Sequence, residues 1–238
     1  MPIGWASCCG CTASSGDAPS APPRTWWTRG KKERARRRLR ALERAACQPG
    51  ADFELWYGDG VRFDLLPVVR QMWRKRGQRL LVETPGKNER VAVCGAYRFP
   101  DGPFLFSHQP RSVNSGLFVA LVRKLRARAQ ATGKRIVLVL DNDGSFTSKL
   151  STQVLQEVEA WVRPFWLPKY TSETLNPIES LWGHLKEAYF SRMLTKRRED
   201  FYAAAVHLLA QLGRPGGFRR LISSARTRWV GKDLPRMA

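Results

Sequence analysis

The sequence predicts a mixed α/β domain in which a central mixed sheet is flanked by helices. Three observations predict it. Ile136-Val137-Leu138-Val139-Leu140 is a continuous apolar run, the pattern of a strand buried on both faces inside a sheet. Upstream of it, short runs rich in Val, Leu and aromatic residues alternate with Gly and Pro turn signals, as strands do. Phe118, Leu121, Val122 and Leu125 recur at helical spacing, which predicts an amphipathic helix.

The elements follow in chain order. Residues 1–23 are rich in Ser, Ala, Pro, Gly and Cys without a hydrophobic period, and this composition predicts a disordered N-terminus. Residues 24–49 read as a basic helical arm. Glu33 and Glu43 are the only acids between Arg24 and Arg44, and Leu39, Leu42 and Ala46 give the second half a helical stripe. The arm is read either as a phosphate-contacting element, through Arg36, Arg37 and Arg38, or as a solvated helix packing one thin stripe on the domain. Residues 50–212 carry the mixed domain. Strands are predicted at 53–57, 61–65, 80–83, 91–97 and 104–107. A helix is predicted over 114–131, ended by Gly133. The 136–140 strand follows, then a helix over 147–160 and a short strand over 161–167 ending at Pro168. Asn176-Pro177-Ile178-Glu179 opens another helix, with Asn as N-cap and Pro in the first turn. Its apolar face is Ile178, Leu181, Trp182, Leu185 and Tyr189. A last helix covers 199–212, and residues 213–238 form a basic C-terminal tail that includes Arg219, Arg220, Arg226 and Arg228.

Charge and composition narrow the function. The chain of 238 residues carries 41 Lys+Arg against 20 Asp+Glu, a formal charge of +21. Such an excess points to a polyanion, most simply nucleic acid; codon bias toward Arg in a high-GC genome is the competing explanation. No apolar run approaches the ~18 residues of a membrane span, and the N-terminus lacks the pattern of a signal peptide. A cytoplasmic protein without membrane association is expected. The five cysteines do not suggest a disulfide framework. Cys8, Cys9 and Cys11 lack the usual zinc-ligand spacing.

Three acids stand out. The first predicted strand runs into Gly58-Asp59-Gly60, the apolar strand runs into Asp141-Asn142-Asp143, and Glu179 lies in the first turn of a helix. Acids at strand ends sit where open α/β sheets bind ligands. Three converging carboxylates repel one another unless a cation lies among them, and hard oxygen ligands suit Mg²⁺ or Mn²⁺. Each acid also has a local explanation: Asp59 as a turn residue, Asp141 as a helix cap, Glu179 as the partner in a capping box. Trp182 is read as core by its spacing, with base stacking as the alternative. His184 and His207 are read as surface or packing residues.

The segments 138–142, Leu-Val-Leu-Asp-Asn, 165–170, Phe-Trp-Leu-Pro-Lys-Tyr, and 175–186, Leu-Asn-Pro-Ile-Glu-Ser-Leu-Trp-Gly-His-Leu-Lys, resemble the catalytic core of mariner-like bacterial insertion-sequence transposases of the DDE superfamily. Leu55-Trp56-Tyr57-Gly58-Asp59 resembles the first catalytic segment of that family, and Trp73-Arg74-Lys75-Arg76-Gly77 its sequel. The resemblance covers about residues 50–210. It implies a ribonuclease-H-like, retroviral-integrase-like fold for a DDE catalytic domain over 50–212. It implies that Asp59, Asp141 and Glu179 are catalytic and ligate metal, with two Mg²⁺ or Mn²⁺ ions. The implied activity is phosphodiester hydrolysis and strand transfer at insertion-sequence ends. The implied partners are DNA, both transposon ends and target, and a second copy of the chain in a DNA-bound homodimer. Lys186, two turns along the helix from Glu179, is a candidate phosphate contact.

The sequence departs from the family pattern in places. Gly60 stands where the family carries Glu, and Asp143 and Phe146 follow Asp-Asn where a small residue and a His are usual. The loop 171–175 is one residue longer than the commonest form, and its Glu173 is a weaker ligand candidate. The helix-turn-helix module that normally precedes the first acid is not recognisable ahead of Asp59. The expectation is therefore a catalytic domain without that module; the alternative is a truncated, catalytically inactive DNA-binding remnant.

Overall fold

The computed structural model describes residues 26–65, 88–100, 102–192 and 197–217. The strand expected at 80–83, the N-terminal 1–23 segment and the basic residues 218–229 lie outside the described residues. Among the described residues, five strands form one sheet in the order β3-β2-β1-β4-β5. They are β1 (Phe53–Asp64), β2 (Arg90–Arg98), β3 (Phe104–Pro110), β4 (Arg135–Leu140) and β5 (Val162–Trp166). β1 pairs antiparallel with β2, and β2 with β3; β1 pairs parallel with β4, and β4 with β5. The sheet is mixed, as expected, and the apolar run of β4 lies between two strands.

Helices cover both faces. α1 (Trp26–Ala46), α6 (Ile178–Ala188) and α7 (Arg198–Gly213) pack on one face, and α2 (Ser115–Thr132) and α4 (Lys149–Glu157) on the other. The short helices α3 (Gly144–Thr147) and α5 (Ser172–Leu175) precede α4 and α6. Strand periodicity assigns the faces. Leu55, Tyr57, Val61 and Phe63 of β1 join the α1/α6/α7 core, whereas Trp56 joins the α2/α4 core. α2 begins where the Asn114 side chain accepts from the Leu117 amide at 2.9 Å and ends at Gly133, whose φ is +67°. These are a side-chain N-cap and a left-handed glycine C-cap. No helix among the described residues is long and apolar enough to cross a membrane.

The basic segment is helical over more than its second half. Ala35 and Leu39 are buried and Leu42 and Ala46 half-buried on the core, so the expected stripe docks α1 on the sheet. The Tyr57 hydroxyl donates to Glu43 of this helix at 2.6 Å. Arg36 and Arg37 turn away from the stripe and approach Glu33 at 3.8 and 3.6 Å, while Arg38 is exposed.

Three local expectations are corrected. The strands expected at 53–57 and 61–65 are one strand, because Gly58 and Gly60 stay extended and pair with Ala96 and Cys94 of β2. The helix expected over 147–160 is interrupted at Ser148, whose extended backbone separates α3 from α4 and whose hydroxyl accepts from the Ser151 amide at 3.2 Å. Asn176 does not cap α6 with its side chain. Pro177 precedes the helix, and the Asn176 amide reaches across to β1.

At the start of β1, Glu54 is buried and receives Arg98 and Arg128 at 3.1 Å each and the Trp56 indole N–H at 3.0 Å. This cluster ties β1, β2 and α2 together. Further along the sheet, Gly95 of β2 pairs with Asp59 of β1. A Cβ at Gly95 would lie 2.8 Å from both the Phe104 and the Trp182 rings. Those rings are packed in the core and have no room to retreat. Gly95→Ala is expected to destabilise the protein by about 1–3 kcal/mol through overpacking, read as a lower midpoint in chemical denaturation with an unchanged m-value.

Candidate active site

The sheet brings two of the predicted acids to one level. β1 and β4 pair in parallel up to Tyr57 opposite Val139. Continuing that register by two residues sets Asp59 beside Asp141. Asp59 is not at a strand end, as expected, but in the middle of β1, in phase with Tyr57, Val61 and Phe63. It therefore faces the α6 side of the sheet and is 9% exposed. A turn role for Asp59 is excluded by this placement. Asp141 directly follows the last residue of β4, so it does stand at a strand end.

Helix α6 supplies the third acid and holds the first in place. The Trp182 indole N–H donates to Asp59 Oδ2 at 3.0 Å, and the Asn176 side-chain amide donates to the Gly58 carbonyl at 3.1 Å. Both contacts are buried. Glu179 lies midway between these two residues in sequence, in the first turn of α6. The Asn-Pro-Ile-Glu-Ser-Leu-Trp segment is thus a bracket. It grips β1 on either side of the peptide that leads into Asp59 and presents Glu179 to the same cleft. The core role read for Trp182 is correct, since it is 3% exposed and packs edge-on against Phe63 and Phe104. Its hydrogen bond to Asp59 and the reach of Asn176 were not legible from spacing.

Two contiguous clefts open over the acids. One, of about 480 Å³, is lined by Asp59, Arg62, Asp64, Glu179, Trp182 and Lys186. The other, of about 380 Å³, is lined by Asp59, Arg62, Asp141, Asp143, Phe146 and Glu179. The three predicted acids share the second cleft. Lys186, the candidate phosphate contact two turns along α6 from Glu179, lines the first. Arg62, exposed on β1 in the phase opposite to Asp59, borders both and was not anticipated; a lone arginine three residues beyond an acid on a strand was its only signal. Arg36, Arg37 and Arg38 line neither cleft. Glu173 lies on α5 outside both.

The local electrostatics are those of acids lacking a counter-charge. The Asp59 carboxyl is pushed up to about 8, first by burial and then by the negative charge of Glu179 and, less, of Asp141; the Gly60 amide and Trp182 oppose the rise. Burial also raises Asp141, with the Asp143 charge adding to it and the Asp143 amide, which donates to Asp141 Oδ1 at 3.2 Å, opposing it. The helix-capping role considered for Asp141 belongs to Asp143, whose Oδ1 accepts from the Ser145 amide at 2.8 Å. The capping-box role considered for Glu179 does not apply, because the N-cap residue is Pro177, which has no N–H for the carboxylate to accept.

The donor set fits a hard divalent cation in chemistry: carboxylate oxygens converge on one cleft, and a cation would remove their mutual repulsion. Among the described residues, no three His, Cys, Asp or Glu side chains are grouped closely enough to hold one ion as they stand. The elements converge; the carboxylate oxygens do not yet chelate. Gly60 and Phe146 shape the floor. A Cβ at Gly60 would lie 2.9 Å from Val113, and Phe146 is buried against Phe118 at 4.8 Å between ring centroids. Val113 thus occupies space next to the position where the resembled family carries a glutamate.

His184 meets Tyr189 edge-on at 6.1 Å, and His207 Nε2 is 2.7 Å from the Gln211 side chain. Neither lines the clefts.

Comparison with known proteins agrees with this geometry. The family model of the DDE superfamily endonucleases matches residues 54–201, from the start of β1 into α7. An insertion element IS630 uncharacterized 39 kDa protein of Shigella sonnei is 30% identical over 150 residues, covering 63% of this chain and 43% of that protein. The Mos1 mariner paired end complex with Mn has a similar fold, with a TM-score of 0.60, 16% identity and coverage of 93% of this chain and 65% of that one. The catalytic domain of Mos1 mariner transposase superposes with a TM-score of 0.52 at 16% identity, covering 89% of this chain and 94% of that domain. The chain spans less than half the length of the IS630 protein and just under two thirds of the Mos1 chain in its paired end complex. The fold is the ribonuclease-H-like fold of the Mos1 catalytic domain, and over its central strands and the bracket helix this chain belongs to the DDE superfamily endonuclease family.

Proposed function

We propose that this chain is the catalytic domain of a DNA transposase, hydrolysing phosphodiester bonds and transferring strands at the ends of an insertion sequence. One observation carries the reading. Asp59 is buried on a sheet face beside Glu179 and Asp141; burial first, then the Glu179 charge and less that of Asp141 push its carboxyl up to about 8, and the cleft above it is rimmed by Lys186 and Arg62. A family of endonucleases and a cluster of uncompensated acids in a basic protein both call for a divalent cation and DNA.

Asp59, Asp141 and Glu179 would hold two Mg²⁺ or Mn²⁺ ions, which when bound lower the pKa of the attacking water or hydroxyl and stabilise the leaving oxygen. The rest is done by the chain. Trp182 fixes the orientation of Asp59 through Oδ2, so that its carboxylate need not search for a geometry. Lys186 and Arg62 attract the phosphates of the strand to be cut and orient it over the acids. Hydrolysis and strand transfer use the same positioned phosphodiester and differ in the nucleophile, a water in one and a 3′-hydroxyl in the other. The arginines of α1, half-buried Arg36 and exposed Arg37 and Arg38 among them, hold the DNA backbone away from the cleft. The protein acts on DNA in the cytoplasm, as a homodimer on paired ends; the 50–212 domain does the chemistry and the 24–49 arm and 213–238 tail add backbone contacts.

Purified protein with Mg²⁺ or Mn²⁺ is expected to nick or join DNA, and Asp141→Asn to abolish this while melting as the parent does. A parent that binds DNA but never cuts it would make the chain an inactive remnant. Metal and proton compete for Asp59. Its carboxyl in the fold lies above its ordinary value of 3.8, so the metal-free fold binds this proton more tightly than the unfolded chain. Stability is then greatest below pH 4 as far as this group is concerned and falls as pH rises toward 8. The rise in melting temperature on adding Mg²⁺ should therefore grow over that pH range and be much reduced in Asp59→Asn, measured by thermal unfolding at fixed ionic strength. Replacing Arg36, Arg37 and Arg38 with Ala should lower the slope of log affinity against log salt by about one for each phosphate the arm no longer touches. The metal concentration for half-maximal cutting should stay the same.

A further inference from the structure

The loop after β5 holds one side chain out into solvent. Tyr170 is 87% exposed and its φ is +63°. A left-handed backbone is uncommon for any residue but glycine and asparagine, and unfavourable for an aromatic one. So exposed a ring has too little packing among the described residues to offset this conformation. The strain is instead imposed by well-anchored neighbours. The Leu167 amide donates to the Leu140 carbonyl at 2.8 Å, and the Asn142 side chain donates to the Leu167 carbonyl. Leu140 and Asn142 are the residues on either side of Asp141. On the far side, the Thr171 hydroxyl donates to the Pro168 carbonyl at 2.7 Å, and the Leu175 amide donates to the Thr171 carbonyl at 3.0 Å. Leu167 and Thr171 are buried, at 1% and 6% exposure. The loop is anchored on both sides of Tyr170, at Leu167 directly to the residues flanking Asp141; Tyr170 itself stands outside the linings of the two clefts. Lys169, the residue before the tyrosine, and Trp166, at the end of β5, are exposed too.

We propose that Tyr170 is a base-stacking residue that receives an unpaired nucleobase next to the phosphodiester in the carboxylate cleft. The inference rests on the transposase reading for the identity of the polymer. The chemistry selects the ligand. A flat aromatic face held in water on an anchored loop, with the cation of Lys169 adjoining it in the chain, complements a base with its phosphate. A base inside a duplex is already stacked and offers no face, so the ring takes a base at a nick, an overhang or a frayed end. Such ends are what strand cleavage creates. An anchored loop keeps the entropic cost of ordering the tyrosine low on binding, which gives the strained loop a function.

The test uses the full chain without divalent metal, so that binding is read apart from cutting. The probe is a DNA duplex with a short single-stranded overhang carrying fluorescent aminopurine, compared with the same duplex blunt. Tyr170→Ala should weaken overhang binding about tenfold, abolish the quenching of aminopurine, and leave blunt-duplex binding unchanged. Tyr170→Phe should keep both affinity and quenching. Tyr170→Gly should bind like the alanine variant yet melt above the parent, because glycine accepts the positive φ. Equal affinity of parent and Tyr170→Ala for the overhang would overturn the proposal, as would an equal loss on both duplexes. A phenylalanine variant as weak as alanine would overturn it too, by making the hydroxyl the contact. Lost self-association at unchanged DNA affinity would make the ring a protein contact instead. Quenching by a parent that cuts no DNA with Mg²⁺ would support the stacking site while refuting the catalytic reading; cutting by a parent whose alanine variant binds normally would do the reverse.

Discussion

β1 carries two buried acids, and the difference between them governs the molecule. Glu54 and Asp59 lie on one strand, at 6% and 9% exposure. Burying a carboxylate is costly unless it is paired. Glu54 is paired: burial alone would raise its carboxyl, but Arg128, Trp56 and Arg98 together hold it below the usual carboxylate range. Asp59 has no such cation pressed against it among the described residues. Its charged neighbours are Glu179 and Asp141, and its carboxyl rises to about 8. The first acid is neutralised by the fold and serves the fold. The second is left without a counter-charge, the deficit that the proposed function would fill with a cation.

The rest of the architecture can be understood as keeping that deficit in place. Left to itself, a carboxylate with acidic neighbours would rotate to water or be protonated and collapse into the core. The parallel register of β1 and β4 fixes Asp59 at the level of Asp141. The α6 bracket then prevents escape. Trp182 holds one oxygen of Asp59, Asn176 holds the Gly58 carbonyl, and both are buried beside the helix turn that bears Glu179. Gly95 is glycine because the Trp182 ring passes over it. A helix turn and the two residues before it thereby set the distance between acids drawn from different elements, and shifts in any one of these contacts would be felt by all.

Much of this was legible in the sequence, and the parts that were not have physical reasons. The continuous apolar run announced β4 because a strand covered on both faces needs no polar phase. The helix α2 was legible from periodicity and from the Gly133 that ends it, and α7 was expected over 199–212; the Asn114 N-cap of α2 was not read. Asp59 and Asp141 were found from their place after strand-like runs, Glu179 from its place in the first turn of a helix, and all three from resemblance. Asp59 was placed at a strand end because flanking glycines usually signal a turn. Its real position was encoded in a different signal: Leu55, Tyr57, Val61 and Phe63 keep strict alternation through Asp59, so the acid occupies a buried phase. Asn176 has the composition of an N-cap, but its partner is on a strand more than a hundred residues earlier in the chain, and no local rule can show such a contact. Arg62 was missed for the same reason, since nothing in a strand tells which exposed residue borders a cleft made by a distant helix.

Three conflicts with local rules bear on the cleft, although buried unpartnered atoms also occur at Arg98, Ser107 and Arg128 and a second positive φ at Arg111. Asp59 is a buried acid among acids, the Asn176 Oδ1 is buried with no hydrogen-bond partner among the described residues, and Tyr170 stands in a glycine conformation on a loop fastened beside Asp141. Elsewhere on the Asp59 face, strand alternation and helix stripes agree with burial throughout the core. A sequence under selection for stability alone would remove such conflicts, since each has a simple remedy: a hydrophobic residue at 59, a better-satisfied side chain at 176, glycine at 170. Under the proposed function one bound ligand would resolve all three, which sit on β1 and on the connection from β5 to α6. A bound polyanion with its cations would supply positive charge to Asp59 and a face to Tyr170, in a protein whose +21 charge already draws such a partner in.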